Sequence, residues 1–334
     1  MPDKNLPNPT QSPVIIAELC QNHKGDPAIL KEMVWAAAEA GATYAKIQSM
    51  LADDLTKRER FEQGVWEGDL QIAIRRPYQL EYERLKPMDL DDEAHYLFGE
   101  ECQKAGIRPL ATIYSRSRIP FIANLGWEAV KVASYDCASF PMLRELSERF
   151  RHLYISTGAT YDDEIEATAR FLQGCSFSFL HAVTIYPTPL NEVNLSRMQY
   201  LRQFTSSVGW SDHTLVSRDG IKAAVVALSL GANVIERHFT ILPPEATRDG
   251  PVSINPTQLK ALVEISRMQP QELQEYVKRE IPEYKEMIGQ AHRPLSHAEE
   301  LNRDYYRGRF ASRLIDQATG QTRWVYNWEE TPAF

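Results

Sequence analysis

The stretch SSVGWSDHTLVSRDGIKAAVVALSLGANVIERHF (206–239) holds one complete copy of the pattern that organises this chain. A β-branched and aromatic run, SSVGW (206–210), leads into Ser211, Asp212 and His213; a helical segment, SRDGIKAAVVALSLGA (217–232), follows, and a second run, NVIERHF (233–239), closes the unit. Strand, helix and strand in that order read as a βαβ unit with parallel strands.

The same alternation extends outward from residue 13. Further strand candidates are PVIIAE (13–18), TYAKIQ (43–48), IRPLATI (107–113), EAVKVAS (128–134), HLYIST (152–157) and FSFLHAV (177–183). The helical segments between them, such as 27–42, 91–106 and 162–174, are amphipathic, and several end at a glycine able to take the left-handed cap conformation. Eight such strands predict a closed (β/α)8 TIM barrel over 13–268. A doubly wound open sheet is the competing arrangement, and the lack of GxGxxG after an early strand weakens its nucleotide-binding version. Residues 50–90 interrupt the rhythm with a charged, aromatic insertion expected to lie over the barrel mouth. Residues 1–12 read as a flexible lead, and 269–334 as a helical, then aromatic and basic, C-terminal extension.

At 334 residues the chain is long enough for one large α/β domain with appended segments. Its net charge of −8 argues against general nucleic-acid binding, which needs surplus Lys and Arg. Cys20, Cys102, Cys137 and Cys175 are widely spaced, so neither a zinc knuckle nor a disulfide framework is indicated. No run has the length of a membrane span and the start is not a signal peptide, so a cytoplasmic protein is expected.

In a βα barrel, catalytic groups sit where strands end. Here those positions hold Glu18, Lys46, Gln48, Thr112, Lys131, Ser134, Asp136, Ser156, Thr184, Tyr186, Ser211, His213 and His238. His213 and His238 follow adjacent strands and form a candidate pair for a divalent metal; packed, hydrogen-bonded histidines are the plainer alternative. Lys46 and Lys131 interrupt apolar strands, where a cation is costly unless an anion meets it. That anion is a bound phosphate or carboxylate, or else an internal partner such as Glu18 or Asp136. The serines read singly as turn residues and Tyr186 as a packed loop aromatic; their strand-end positions make them candidates.

These residues fall in IIAELCQNHKG (15–25), AGATYAKIQ (40–48), VKVASYDCASFPML (130–143), ISTGAT (155–160), LHAVTIYPTP (180–189), GWSDHT (209–214), GANVIERHFT (231–240) and RDGPVSINP (248–256). In those stretches the chain resembles the catalytic barrel of the N-acetylneuraminate (sialic acid) synthase family, which includes legionaminate and pseudaminate synthases. The resemblance implies that His213 and His238 bind Mn2+ or Mg2+ and that Lys46, Thr112, Lys131, Ser134, Ser156 and Ser211 hold phosphoenolpyruvate. Glu18, Tyr186 and Asp249 then meet the sugar and the metal-water machinery, and Glu18 or Asp136 manages protons. It further implies condensation with an aldehyde sugar such as N-acetylmannosamine, and a homodimer. Another aldose, as in deoxy-octulosonate and deoxy-heptulosonate synthases, is the alternative enzyme reading; a catalytically silent sugar-binding or regulatory barrel is the alternative of another class.

Three departures from the family stand out. Asp136 replaces a glutamate, Thr184 replaces an asparagine or serine, and no C-terminal antifreeze-like domain is recognisable. The tail from Asn302, with Arg307, Arg309 and Arg313 among Tyr305, Tyr306 and Phe310, is expected to replace part of that cover.

Overall fold

The computed structural model describes residues 12–315 and 320–331; residues 1–11, nearly all of the expected lead, lie outside them. Eight parallel strands close into a barrel: β1 (Val14–Cys20), β2 (Tyr44–Ser49), β3 (Arg108–Ile113), β4 (Ala129–Val132), β5 (His152–Ser156), β6 (Phe177–Ala182), β7 (Val208–Asp212) and β8 (Val234–His238). Each overlaps the run expected for it, and β8 pairs with β1, which rules out the open sheet.

Alternation along the strands builds two cores. Ile16, Tyr44, Leu110, Ala129, Tyr154, Leu180 and Val234 cluster with one another inside the barrel. Their neighbours, among them Ile15, Ala45, Ala111, Val130, Ile155 and Ile235, join the larger core under the helices. Two positions further along the inward rows, the side chains become Glu18, Lys46, Thr112, Lys131, Ser156 and Glu236. The register sets them side by side: Glu18 opposite Lys46 and His238, Thr112 opposite Lys131, and Ser211 opposite Glu236. The apolar layer is thus a floor beneath a polar end. Gly209 lets β7 approach β8 closely, since a Cβ there would lie 2.2 Å from the Val234 carbonyl oxygen.

The helix expected over 217–232 is two helices, Val216–Asp219 and Lys222–Ser229. Gly220 breaks it with φ 56° and ψ −125°, and its carbonyl accepts a hydrogen bond from Arg237 Nη2 at 3.2 Å. Between β2 and the helix Asp92–Ala105, the insertion forms a small hairpin (Val65–Glu67 with Leu70–Ala73) and the helix Tyr78–Leu85.

The C-terminal segment packs onto the insertion. Its helix His297–Tyr306 starts at Ser296, which forms a reciprocal capping box with Glu299. An antiparallel hairpin, Ala311–Ile315 with Thr322–Tyr326, follows. Arg58 Nη1 donates to the carbonyls of Asp304 (3.3 Å) and Arg307 (3.0 Å), groups left free where that helix ends. Thr56 N donates to Arg309 O at 2.9 Å, and Leu55 bridges to Phe310. All four cysteines are free, and no helix among the described residues is long and apolar enough to cross a membrane.

Candidate active site

A cavity of about 620 Å³ lies where the barrel strands end. Thirteen of the fourteen site residues named from the sequence line it: Glu18, Lys46, Gln48, Thr112, Lys131, Ser134, Asp136, Ser156, Tyr186, Ser211, His213, His238 and Asp249. Thr184 does not. It is fully buried beneath the wall, where a Cβ on Gly158 would stand 2.8 Å from its Cγ2 and 2.9 Å from Ser134 Oγ. Its carbonyl is taken by Asn302 Nδ2 at 2.6 Å. The missing side chain of Gly158 leaves room for Thr184 beneath the wall, while Ser134 lines the cavity and accepts from Gly158 N at 3.1 Å.

The strand rows supply the cavity's deep end. Lys46 Nζ is ion-paired with Glu18, donates to Thr112 Oγ1 at 2.7 Å and stands 3.9 Å from Glu236 Oε2. Lys131 Nζ donates to Ser156 Oγ at 2.6 Å and to the Val132 carbonyl at 2.9 Å. The internal partner of Lys46 is therefore Glu18, whereas Asp136 pairs with neither lysine. Burial lowers the Lys46 ammonium to about 7, with Glu236 opposing and Lys131 reinforcing the shift. Burial lowers Lys131 as well, again against the pull of Glu236. Glu236 accepts from Ser211 Oγ at 2.9 Å, while its Oε2 is buried without a hydrogen-bond partner. Burial works against its charge, but the two lysines hold its carboxyl below the ordinary value. Lys46 and Lys131, four hydroxyls and the carboxylates of Glu18 and Glu236 thus share one end of the cavity, where an added anion would meet both lysines and several hydroxyl donors.

The β7 and β8 ends supply a second group. The His213 and His238 rings lie edge to face with centroids 5.2 Å apart, and Tyr186 lies against His213 at 4.3 Å. Both Nδ1 atoms are buried with no hydrogen-bond partner. Burial is the leading cause that lowers both imidazoles, so both are neutral near pH 7. Donor atoms of Cys20, His238 and Asp249 lie within 4.8 Å of one another; His213 is outside that trio but beside it. Orphaned neutral imidazole nitrogens next to a carboxylate fit a divalent cation, and fit manganese better than magnesium, which favours oxygen ligands. Burial and the adjacent Asp249 hold the Cys20 thiol far above its ordinary value.

Behind these histidines, the Asp212–Arg237 ion pair is entirely buried and ties β7 to β8. Arg237 Nη2 also donates to the Thr214 carbonyl at 2.9 Å. Each member of the pair directly precedes one of the histidines, so the pair braces both.

The third wall comes from the C-terminal segment of the same chain: Asn302, Tyr306, Arg309, Phe310 and Asn327 line the cavity. Tyr306 stacks on Tyr135 with centroids 5.0 Å apart. Asn327 Nδ2 donates to Asp136 Oδ1 at 3.0 Å and to the Tyr114 carbonyl at 2.9 Å. Ser139 Oγ donates to the same Asp136 oxygen at 2.9 Å. Burial pushes the Asp136 carboxyl up to about 6, against the pull of both donors. Of the three tail arginines singled out from the sequence, only Arg309 reaches the cavity. Arg307 pairs with Glu164 at 3.0 Å, and Arg313 is exposed on the hairpin.

Sequence reading placed Glu236 at the end of the last strand without giving it a role, and it left out Cys20, Tyr114 and the insertion arginines Arg76 and Arg84. Glu236 carried the same cue as the lysines, a charge in an inward row. Cys20 did not, because it reaches the site through a register shift after Glu18 and a backbone φ of 43°.

The profile of the NeuB family matches residues 33–278. An N,N'-diacetyllegionaminic acid synthase of Legionella pneumophila is 34% identical over 261 residues, covering 76% of this chain and 71% of that protein. A Campylobacter jejuni protein of the same name is 31% identical, covering 75% of this chain and 74% of its own. Among solved structures, the N-acetylneuraminic acid (sialic acid) synthetase of Leptospira borgpetersenii superposes with a TM-score of 0.67 at 25% identity, covering 87% of this chain and 91% of that one.

Proposed function

The chain belongs to the NeuB family, and we propose that it joins phosphoenolpyruvate to the aldehyde carbon of an amino sugar, N-acetylmannosamine or a relative, releasing phosphate and a sialic-acid-like 3-deoxy-2-ulosonate. One observation carries this reading. A single cavity holds two buried lysines ringed by hydroxyls at one end, and two unpartnered imidazoles beside a carboxylate at the other.

In this reading Lys46 and Lys131, with Thr112, Ser134, Ser156 and Ser211, hold the phosphate and carboxylate of phosphoenolpyruvate. His213, His238 and Asp249 would hold manganese, which supplies Lewis acidity toward the aldehyde oxygen. A bond forms between C3 of phosphoenolpyruvate and the aldehyde carbon, and the aldehyde oxygen takes up a proton. Water adds at C2 and loses one proton; as the C2–O bond to phosphate breaks, the new C2 hydroxyl gives its proton to the departing phosphate, leaving a ketone and inorganic phosphate. Asp136, held near 6, can accept the water's proton and return it at neutral pH. The lysines offset anionic charge throughout, and their enclosed setting makes that offset effective.

The test is phosphate release from phosphoenolpyruvate by manganese-loaded protein against a panel of aldoses, with products identified by mass spectrometry. Sugar-dependent release abolished by EDTA is expected. No release with any amino sugar, alongside turnover of arabinose 5-phosphate or erythrose 4-phosphate, would replace the sialic-acid-type reading with the alternative aldose.

A further inference from the structure

The cavity carries a second set of cations for which the reaction above has no use. Arg76 and Arg84 come from the insertion, Arg248 from the loop after β8 and Arg309 from the C-terminal segment, and all four line the cavity. Three of them converge on one carboxylate. Arg84 Nη2 and Arg309 Nη2 lie 3.0 and 2.8 Å from Glu81 Oε2, and Arg248 Nη1 lies 3.5 Å from Glu81 Oε1. Burial works against the charge of Glu81, yet these arginines hold its carboxyl at about 2, so it is ionised and neutralises one of them. Four guanidinium groups against one carboxylate leave a surplus of three positive charges (4 − 1). The other lining acids are engaged elsewhere: Glu18 and Glu236 lie beside the lysines, Asp136 meets Ser139 and Asn327, and Asp249 sits with His238.

Beyond Glu81, Arg84 Nη1 donates to Gln21 Oε1 at 2.9 Å and Arg309 lies against the rings of Tyr305, Tyr306 and Phe310, yet part of the set lacks partners. The Nε atoms of Arg76, Arg84 and Arg309 are all buried without a hydrogen-bond acceptor, and Arg309 is only 8% exposed. Unbonded buried Nε donors also occur at Arg58 and Arg237, so what distinguishes this set is its surplus of charge on one cavity. Segments from three parts of the chain direct guanidinium groups at a shared space. Their planar forks match pairs of phosphate oxygens. A neutral sugar has nothing that calls for such a surplus.

We propose that these arginines form a second anion subsite, and that the aldose this enzyme takes carries a phosphate ester remote from its aldehyde. The proposal rests on the synthase reading, which already assigns the anionic groups of phosphoenolpyruvate to Lys46 and Lys131. Arg248 directly precedes Asp249, so a sugar whose aldehyde meets the Asp249 end has the arginines along its length.

The test compares N-acetylmannosamine with its 6-phosphate, and mannose with its 6-phosphate, by consumption of phosphoenolpyruvate. The phosphorylated member is expected to show kcat/KM at least about 100-fold above its parent, the scale of two charge-assisted hydrogen bonds. Arg76→Gln and Arg309→Gln are each expected to cut that preference at least about tenfold. Equal kcat/KM within a pair overturns the proposal. So does an Arg76→Gln protein whose KM for phosphoenolpyruvate rises while the preference is intact, since that places the phosphate of phosphoenolpyruvate among the arginines. Calorimetric titration of the same sugars reads the preference without turnover. Tighter binding of the phosphate ester, lost in Arg76→Gln, upholds the subsite even where no product forms, and the failure then belongs to the synthase reading.

Discussion

Replacing Asn327 by alanine is expected to move the acidic limb of the pH–rate profile upward. Asp136 is 8% exposed, and burial places its carboxyl at about 6. Two donors, Asn327 Nδ2 at 3.0 Å and Ser139 Oγ at 2.9 Å, favour its ionised form. A hydrogen bond to a charged group contributes about 1.5 kcal/mol, and about 1.4 kcal/mol corresponds to one pH unit. Loss of the Asn327 donor therefore raises the carboxyl by about one unit. If Asp136 works as a base, kcat/KM measured between about pH 5 and 8 by phosphate release falls on the acid side near 6 in the wild type, and about one unit higher in the variant. A limb that moves by less than ~0.3 unit would refute the assignment, since Asn327 touches Asp136 directly.

The same group sets a stability trend of defined sign. Its folded value lies above the ordinary aspartate value of about 3.9, so the folded state binds this proton more tightly than the unfolded chain does. The contribution is fully present below about pH 4 and is lost as pH rises through about 6, amounting to roughly 3 kcal/mol. Asn327→Ala widens that gap, so it is expected to lower Tm more at neutral pH than in acid.

Three further outcomes follow from the site. His238→Ala is expected to weaken manganese binding at least about 100-fold, read by metal titration of the purified protein; unaltered affinity removes His238 from the donor set. Lys131→Met is expected to lower kcat/KM for phosphoenolpyruvate at least about 100-fold, about 3 kcal/mol, through loss of charge-assisted bonds to an anion, and an unchanged value would exclude that contact. Asp212→Asn leaves the buried Arg237 without its counter-charge, a loss of about 3–5 kcal/mol. For a chain of this length that lowers Tm by roughly 4–7 °C, and a fall under ~2 °C would show that the brace contributes little.

The barrel was legible because its signal is local and repeated. A run such as TYAKIQ alternates, so Tyr44 and Lys46 share a face, and the lysine betrays the layer at which the floor gives way to the site. The same logic located Glu18, Thr112, Lys131 and Ser156 without any long-range information. It overreached at Thr184, which keeps the inward parity of β6 but lies under the wall because Gly158 leaves room there. It could not reach Asn327 or the role of Asn302, and Arg309 was named only as one of three arginines in a tail expected to cover the site. Their roles depend on where a helix and hairpin dock, and the hydrogen bond from Asn327 spans 191 residues to Asp136.

That contact joins a short acidic side chain to the C-terminal segment. An aspartate at position 136 stops one methylene short of a glutamate, and taken alone it reads as a loosened site. In the fold the gap is occupied: Asn327 Nδ2 meets the carboxylate at 3.0 Å and is itself fixed to the Tyr114 carbonyl at 2.9 Å. A glutamate on the same backbone would press its longer side chain toward that carboxamide, and an alanine at 327 would leave the aspartate with Ser139 alone. The short acid and the tail therefore act as a unit. The residue that covers this carboxylate also favours its ionised form against burial, so docking of the C-terminal segment and the protonation of Asp136 are linked through one hydrogen bond.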